Sequence, residues 1–259
     1  MFSAQKAASY LDEAHRSRAR YQNLPDTIAP GNFDEAYAAQ EALCALWEPR
    51  FGHIAGRKIA VTTKVMQELM GINQPCGGMI FASRIHQSPT TIRKADYINL
   101  RIECELAVRL AYDLPRTSAP HTPASARAAV GEVMAAFELI EDRRADYRIS
   151  NALSIVADNA WNGGIVIGPA KTPPCDLDLN GITGILLRNG TLEATGKTDD
   201  PMGALSWLAN LAVERGRPMT AGMIAITGSV VATVDISPGE RLDFAFDGVG
   251  EASITAIAV

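Results

Sequence analysis

Glu103 and Glu105 sit one residue apart in the run Arg101-Ile-Glu-Cys-Glu-Leu-Ala-Val-Arg-Leu110. The run reads as a β-strand, whose side chains alternate between faces, so both carboxylates point off one side. Carboxylates so placed repel unless one is protonated or a cation lies between them. They offer oxygen ligands to a hard divalent cation such as Mg²⁺ or Mn²⁺, which also asks for a third group and for water or substrate. The spacing also fits a second reading. Arg101 and Arg109 share the face of the glutamates, and Ile102, Cys104, Leu106, Val108 and Leu110 share the other, as in a half-buried strand with a solvated, mixed-charge outer face. The strand alone leans to this plainer reading, because charges at strand period are mostly solvent-facing.

Other residues bear on the choice. Glu138 lies inside the apolar run Val133-Met-Ala-Ala-Phe-Glu-Leu-Ile140, where a carboxylate is rarely buried without a partner, either a cation or an arginine such as Arg143 or Arg144. Glu141 and Asp142 read as strand-end caps pairing with the same arginines. Lys58 opens Lys58-Ile-Ala-Val-Thr62, a strand that enters a core. Desolvation there lowers a lysine's pKa and makes it usable as an acid or base, whereas at a strand edge it is only a surface charge. Val156-Ala-Asp-Asn-Ala-Trp-Asn-Gly-Gly164 reads as a loop in which Asp158 and Asn159 either bond turn backbone or position a ligand. Ile226-Thr-Gly-Ser229 is a strand running into a small-residue turn, whose backbone N–H groups suit a carboxylate. His15, His53, His86 and His121 have no metal-ligand spacing. There is no phosphate-binding glycine loop, dinucleotide fingerprint or Gly-x-Ser-x-Gly.

The elements that must hold these residues fall into two stretches. Residues 1–55 read as helical: Ser3 to about Arg20, then, after breaks at Pro25 and Pro30-Gly31, a helix opened by Asn32 and Glu35 that stops near Pro49. Residues 56–259 read as a sheet-rich α+β domain. Its candidate strands are 57–61, 79–85, 99–112, 133–140, 164–167, 184–188, 224–226 and 253–259, and its candidate helices 63–70, 123–130 and 201–215. Leu205, Leu208, Leu211 and Ala212 recur at helical spacing in the last, with Gly216 as its stop.

Of the 259 residues, 47% are hydrophobic and the net charge is −5, with no long basic run, which argues against nucleic acid as a partner. The cysteines, Cys44, Cys76, Cys104 and Cys175, form no Cys-x-x-Cys pair and read as free thiols in a reducing compartment. Charge comes too early for a signal peptide, and no run has the length of a membrane span, so the expected location is the cytoplasm.

Taken in order, Phe33-Asp-Glu-Ala-Tyr37, Gly56-Arg-Lys-Ile-Ala-Val-Thr62, Leu69-Met-Gly-Ile-Asn-Gln-Pro75, Arg101-Ile-Glu-Cys-Glu-Leu-Ala107, Ala136-Phe-Glu-Leu-Ile-Glu-Asp-Arg143, Val156-Ala-Asp-Asn159, Trp207-Leu-Ala-Asn210 and Thr227-Gly-Ser229 resemble the 2-keto-4-pentenoate hydratase and 4-oxalocrotonate decarboxylase family of the fumarylacetoacetate hydrolase superfamily. The resemblance covers nearly the whole chain. It implies a sheet-rich catalytic fold of mixed β-roll or barrel type behind a small helical region, and a homo-oligomer that can associate with a pathway partner enzyme. It places Mg²⁺ or Mn²⁺ on Glu103, Glu105 and Glu138, proton transfer on Lys58, and substrate contacts on Cys76, Asp158, Trp161, Thr227 and Ser229.

The implied reaction is hydration of a 2-hydroxy-2,4-dienoate in aromatic meta-cleavage catabolism. The alternatives are decarboxylation of a 2-oxo-3-enedioate, with Arg84 or Arg143 for the second carboxylate, or a relative that binds metal and a 2-oxo acid without turnover. Three departures rewrite the pocket. Cys76-Gly77-Gly78 replaces the family's acid after Pro75, Ala160-Trp161-Asn162 replaces small residues, and Ala60 replaces the glycine of the lysine motif.

Overall fold

A computed structural model describes residues 1–173 and 177–259; Cys175 lies outside the described residues. Helix α1 (Ala4–Arg16) starts at Ser3, whose hydroxyl accepts the Lys6 N–H, and buries Ala7, Ala8 and Leu11. Helix α2 (Phe33–Phe51) starts at Asn32, whose side chain accepts the Glu35 N–H. It runs past the expected stop, because Pro49 falls in the last turn and Gly52 N–H still closes on the Glu48 carbonyl. The chain continues through β1 (Ile54–Ala60), α3 (Lys64–Leu69), β2 (Cys76–Phe81), β3 (Ile85–Gln87), β4 (Thr90–Arg93), β5 (Leu100–Leu110), α4 (Pro123–Ala129) and β6 (Val130–Glu141). It ends with α5 (Ala152–Ala157), β7 (Asn162–Ile167), β8 (Thr183–Arg188), β9 (Thr191–Lys197), α6 (Pro201–Glu214), β10 (Ile224–Ser229), β11 (Arg241–Phe246) and β12 (Gly250–Ile257).

The strands form two open mixed sheets, one of seven in the order β2-β1-β10-β5-β6-β7-β3 and one of five in the order β4-β12-β11-β8-β9. The α+β class holds, and among the described residues neither sheet closes into a barrel. The two sheets meet over the main core, where Ile102, Cys104 and Leu106 of β5 and Phe137 and Leu139 of β6 pack with Leu242 and Phe244 of β11. The Phe137 and Phe244 rings lie 6.0 Å apart. Because side chains alternate, burying Cys104 in that core turns Glu103 and Glu105 to the opposite face. There the sheet carries a second apolar cluster, including Ile80, Ala107, Ala136, Ile165 and Ile226. Helices α1 and α2 close over Met79 and Phe81 through Leu11, Leu43 and Trp47.

Three expectations change. The 79–85 strand is two pieces, because Ala82–Arg84 forms a 3₁₀ turn between β2 and β3. The apolar approach to Asp158 is helix α5, capped by Asn151, rather than loop. Strands β4, β9 and β11 were not foreseen. β9 is mostly exposed and polar, so its pairing with β8 left no burial pattern to read.

Candidate metal centre

Glu103 and Glu138 are paired Cα partners across β5 and β6, and Glu105 stands two residues along β5. The three carboxylates each offer an oxygen, and these oxygens lie within 4.8 Å of one another. Glu105 and Glu138 are fully buried and Glu103 is half-buried, so the solvated outer face is not what this strand presents.

Each acid is aimed by a neighbour. Gly228 N–H donates to Glu105 Oε2 at 2.6 Å, so the small-residue turn after Ile226 does bind a carboxylate, one belonging to the protein. Gly228 has φ +112°, a conformation that side-chain-bearing residues rarely adopt. Thr233 Oγ1 donates to Glu103 Oε1 at 2.6 Å, and Asn162 Nδ2 donates to Glu138 Oε1 at 2.9 Å. Lys58 Nζ lies 3.0 Å from Glu138 Oε1, taking the place expected for an arginine.

Two oxygens remain. Glu105 Oε1 and Glu138 Oε2 are buried with no hydrogen-bond partner, and a buried carboxylate oxygen left unpaired is costly. Burial first, then repulsion from Glu138 and Glu103, pushes the Glu105 carboxyl well above the usual carboxylate range. Burial also raises Glu138, against the pull of Lys58. An all-oxygen set, with open valences and too much negative charge for its surroundings, fits a hard divalent cation. Glu103, Glu105 and Glu138 are the residues that would hold it.

Lys58 departs from expectation. Burial alone lowers its pKa, but Glu138, Glu103 and Glu105 together outweigh that and raise it. Its stem needs Gly78 opposite: a Cβ there would stand 2.8 Å from the Asn159 carbonyl oxygen and 3.1 Å from Lys58 Cγ.

The five residues expected to touch substrate divide. Thr227 and Ser229 lie on β10 beside Glu105. Thr227 Oγ1 donates to the Leu106 carbonyl at 2.9 Å, and Ser229 Oγ donates to the Val231 carbonyl at 2.8 Å, so both hydroxyls brace backbone. Cys76 is buried among Tyr37, Val156 and Leu211, and burial pushes its thiol up to about 12 despite the Lys58 charge. Asp158 is committed to His15 Nε2 at 2.6 Å and Arg143 Nη2 at 2.5 Å. This also removes Arg143 as a free partner for a second carboxylate. Glu141 and Asp142 take backbone N–H groups, Ile98 and Asn99 for the first and Arg144 for the second, rather than arginine side chains.

Trp161 sits edge-on to Tyr21 and Tyr147, with ring centroids 5.0 and 5.3 Å away. It is buried, and its indole Nε1 has no partner. Asn159, Ala160 and Trp161 all have left-handed backbone, φ 52°, 47° and 57°, a costly run for residues other than glycine. Asn159 pins it by bonding both the N–H and the carbonyl of Met79. The turn delivers Asn162 to Glu138. Asn162 was legible only as the residue after Trp161, and Thr233 gave no signal.

The chain is similar in sequence and fold to several known proteins. The model of the fumarylacetoacetate hydrolase C-terminal family matches residues 72–256. The 2-keto-4-pentenoate hydratase 2 of Dechloromonas aromatica (strain RCB) is 32% identical over 97% of both chains. The 2-hydroxyhexa-2,4-dienoate hydratase of Comamonas testosteroni is 31% identical over 94% of both. In fold, the chain is similar to the 4-oxalocrotonate decarboxylase of Pseudomonas putida G7, solved with magnesium and adipate, with a TM-score of 0.89 over 98% of this chain and 97% of that one, at 23% identity. Fumarylpyruvate hydrolase of Pseudomonas aeruginosa, solved with Mn²⁺ and pyruvate, matches at a TM-score of 0.58 over 78% of this chain and 89% of that one, at 15% identity. The chain belongs to the fumarylacetoacetate hydrolase C-terminal family, with the 2-keto-4-pentenoate hydratases among its relatives.

Proposed function

We propose that this chain is a metal-dependent hydratase that adds water to a 2-hydroxy-2,4-dienoate of the 2-keto-4-pentenoate type, giving a 4-hydroxy-2-oxo acid in aromatic meta-cleavage catabolism. The observation that carries the reading is the pair of unpartnered buried oxygens, Glu105 Oε1 and Glu138 Oε2, beside a lysine 3.0 Å from Glu138. Relatives at about 30% identity over nearly the full length are named hydratases, which supports the reaction class. Glu103, Glu105 and Glu138 would hold Mg²⁺ or Mn²⁺, which would supply a Lewis acid to the oxygens of the substrate.

Lys58 takes the proton from the 2-hydroxyl as the dienol becomes the 2-oxo form, and returns one to the carbon chain; water then adds across the remaining double bond. Burial lowers the Lys58 pKa while Glu138, Glu103 and Glu105 raise it; a cation on the three acids would offset their pull. Asn162 and Gly228 hold the acids in place through both steps. Tyr147, Trp161 and Met70 pack together in one apolar cluster. The family resemblance makes a homo-oligomer part of the proposal, and exposed Tyr10 on α1 and Leu46 on α2 are surfaces it would cover.

Incubation with 2-hydroxypenta-2,4-dienoate and Mg²⁺ should bleach the dienol absorbance and yield one 4-hydroxy-2-oxopentanoate per dienol. Carbon dioxide from a 2-oxo-3-enedioate, with the dienoate untouched, would make the chain a decarboxylase instead. Binding without product from either would make it a non-catalytic relative.

A further inference from the structure

A cavity of about 190 Å³, with none of the three glutamates in its lining, lies where the end of α1 and the end of α2 meet the turn before β3. Its floor is aromatic: Trp47, Phe51 and Phe81 line it. Its rim is cationic. The Arg84 guanidinium stacks 4.2 Å over the Phe51 ring and that of Arg50 lies 5.1 Å from the same ring, while Arg16 and Arg18 complete the wall.

These charges are unevenly compensated. Arg50 has Asp12 at 2.9 Å, and Arg18 donates to the carbonyls of Asp96 and Tyr97. Half-buried Arg84 has no hydrogen-bond or ion-pair partner among the described residues. The two acids of the lining are spent elsewhere, Asp96 on both guanidinium arms of Arg93 and Glu141 on three backbone N–H groups. Two guanidinium groups on one ring repel, and a partly desolvated charge without a counter-ion is costly. An anion relieves both costs, and a guanidinium's planar fork suits a carboxylate.

We propose that this cavity binds a small planar carboxylate, its ring against Phe51 and Trp47 and its carboxylate on Arg84. The volume equals about six water molecules, room for a one-ring acid and too little for a nucleotide. The site adjoins the triad without including any of its acids, because Asn162 lines the cavity and donates to Glu138. The proposal does not depend on the hydratase reading, since the residues it uses hold no metal.

The test is calorimetric titration of the full chain with benzoate in the presence of a chelator. Saturable binding of one benzoate per chain is expected, weaker by about tenfold or more in Arg84→Gln, as the loss of a charge-assisted hydrogen bond implies. Arg84→Lys should fall between, keeping charge without the fork, which separates a lost contact from a misfolded variant. Acetate should bind more weakly than benzoate, and Glu103→Gln should bind benzoate like the parent chain. No saturable binding, equal binding by Arg84→Gln, or binding abolished by Glu103→Gln would overturn the proposal, the last by placing the carboxylate at the triad.

Discussion

Glu103 and Glu138 face each other directly across the β5–β6 ladder, so the sheet itself sets two carboxylates side by side. Like charges directly opposite in a sheet are destabilising. With Glu105 added and two oxygens unpartnered, the three carboxylates repel unless a cation lies among them or one holds a proton. Added Mn²⁺ or Mg²⁺ should therefore raise the melting temperature, by about 2.7 kcal/mol of stability at one hundred times the dissociation constant. Differential scanning fluorimetry with and without chelator reads this; an unchanged melting temperature would contradict it.

Asn162 aims Glu138 without being a ligand itself. Removing a hydrogen bond to a metal ligand commonly costs about 10–100-fold in affinity. Asn162→Ala should weaken Mn²⁺ binding by that factor while leaving chelated stability nearly unchanged. Parent-like affinity would reduce Asn162 to a loop residue.

Lys58→Met should cut turnover by about 10²–10⁴-fold, the usual share of a positioned acid or base. The ion should still bind, because Lys58 contributes no ligand and its removal relieves competition for Glu138. A variant inactive only because it has lost the ion would assign Lys58 to holding the cluster rather than to proton transfer.

How much of this was legible in the sequence follows from what each residue answers to. Glu105 and Glu103 could be placed on one face because strand period is local, and Leu205, Leu208 and Leu211 marked α6 for the same reason. Burial of that face could not be read, because it depends on β1, β10 and β6 assembling around β5. Lys58 pairing with Glu138, 80 positions away in sequence (138 − 58), is equally non-local. Its raised pKa reverses the expectation because three carboxylates outweigh burial. Asp158 looked like a ligand contact and is instead bonded to His15, 143 positions earlier. Thr233 stood in no motif, yet it orients Glu103.

The His15–Asp158–Arg143 cluster predicts a pH dependence of stability. Burial alone would raise Asp158, but His15 and Arg143 outweigh it and hold the carboxyl below the usual value. A carboxyl depressed in the folded state contributes its stability fully above the unfolded value of about 3.9, and loses it as pH falls through the folded value. Asp158→Asn should be markedly less stable than the parent at pH 7, by about 3–5 kcal/mol for a broken buried pair. That gap should close on acidification below about pH 4. Urea midpoints across pH measure it, and a gap independent of pH would show that the pairing does not set Asp158's ionisation.

Glu103, Glu105 and Glu138 are proposed to hold one divalent cation together. Titration with Mn²⁺, followed by loss of the free-ion electron paramagnetic resonance signal, tests it most directly. One ion per chain is expected, with binding abolished or weakened at least about a hundredfold in Glu103→Gln, Glu105→Gln and Glu138→Gln. Parent-like binding by all three variants, or no binding by the parent chain, would contradict it.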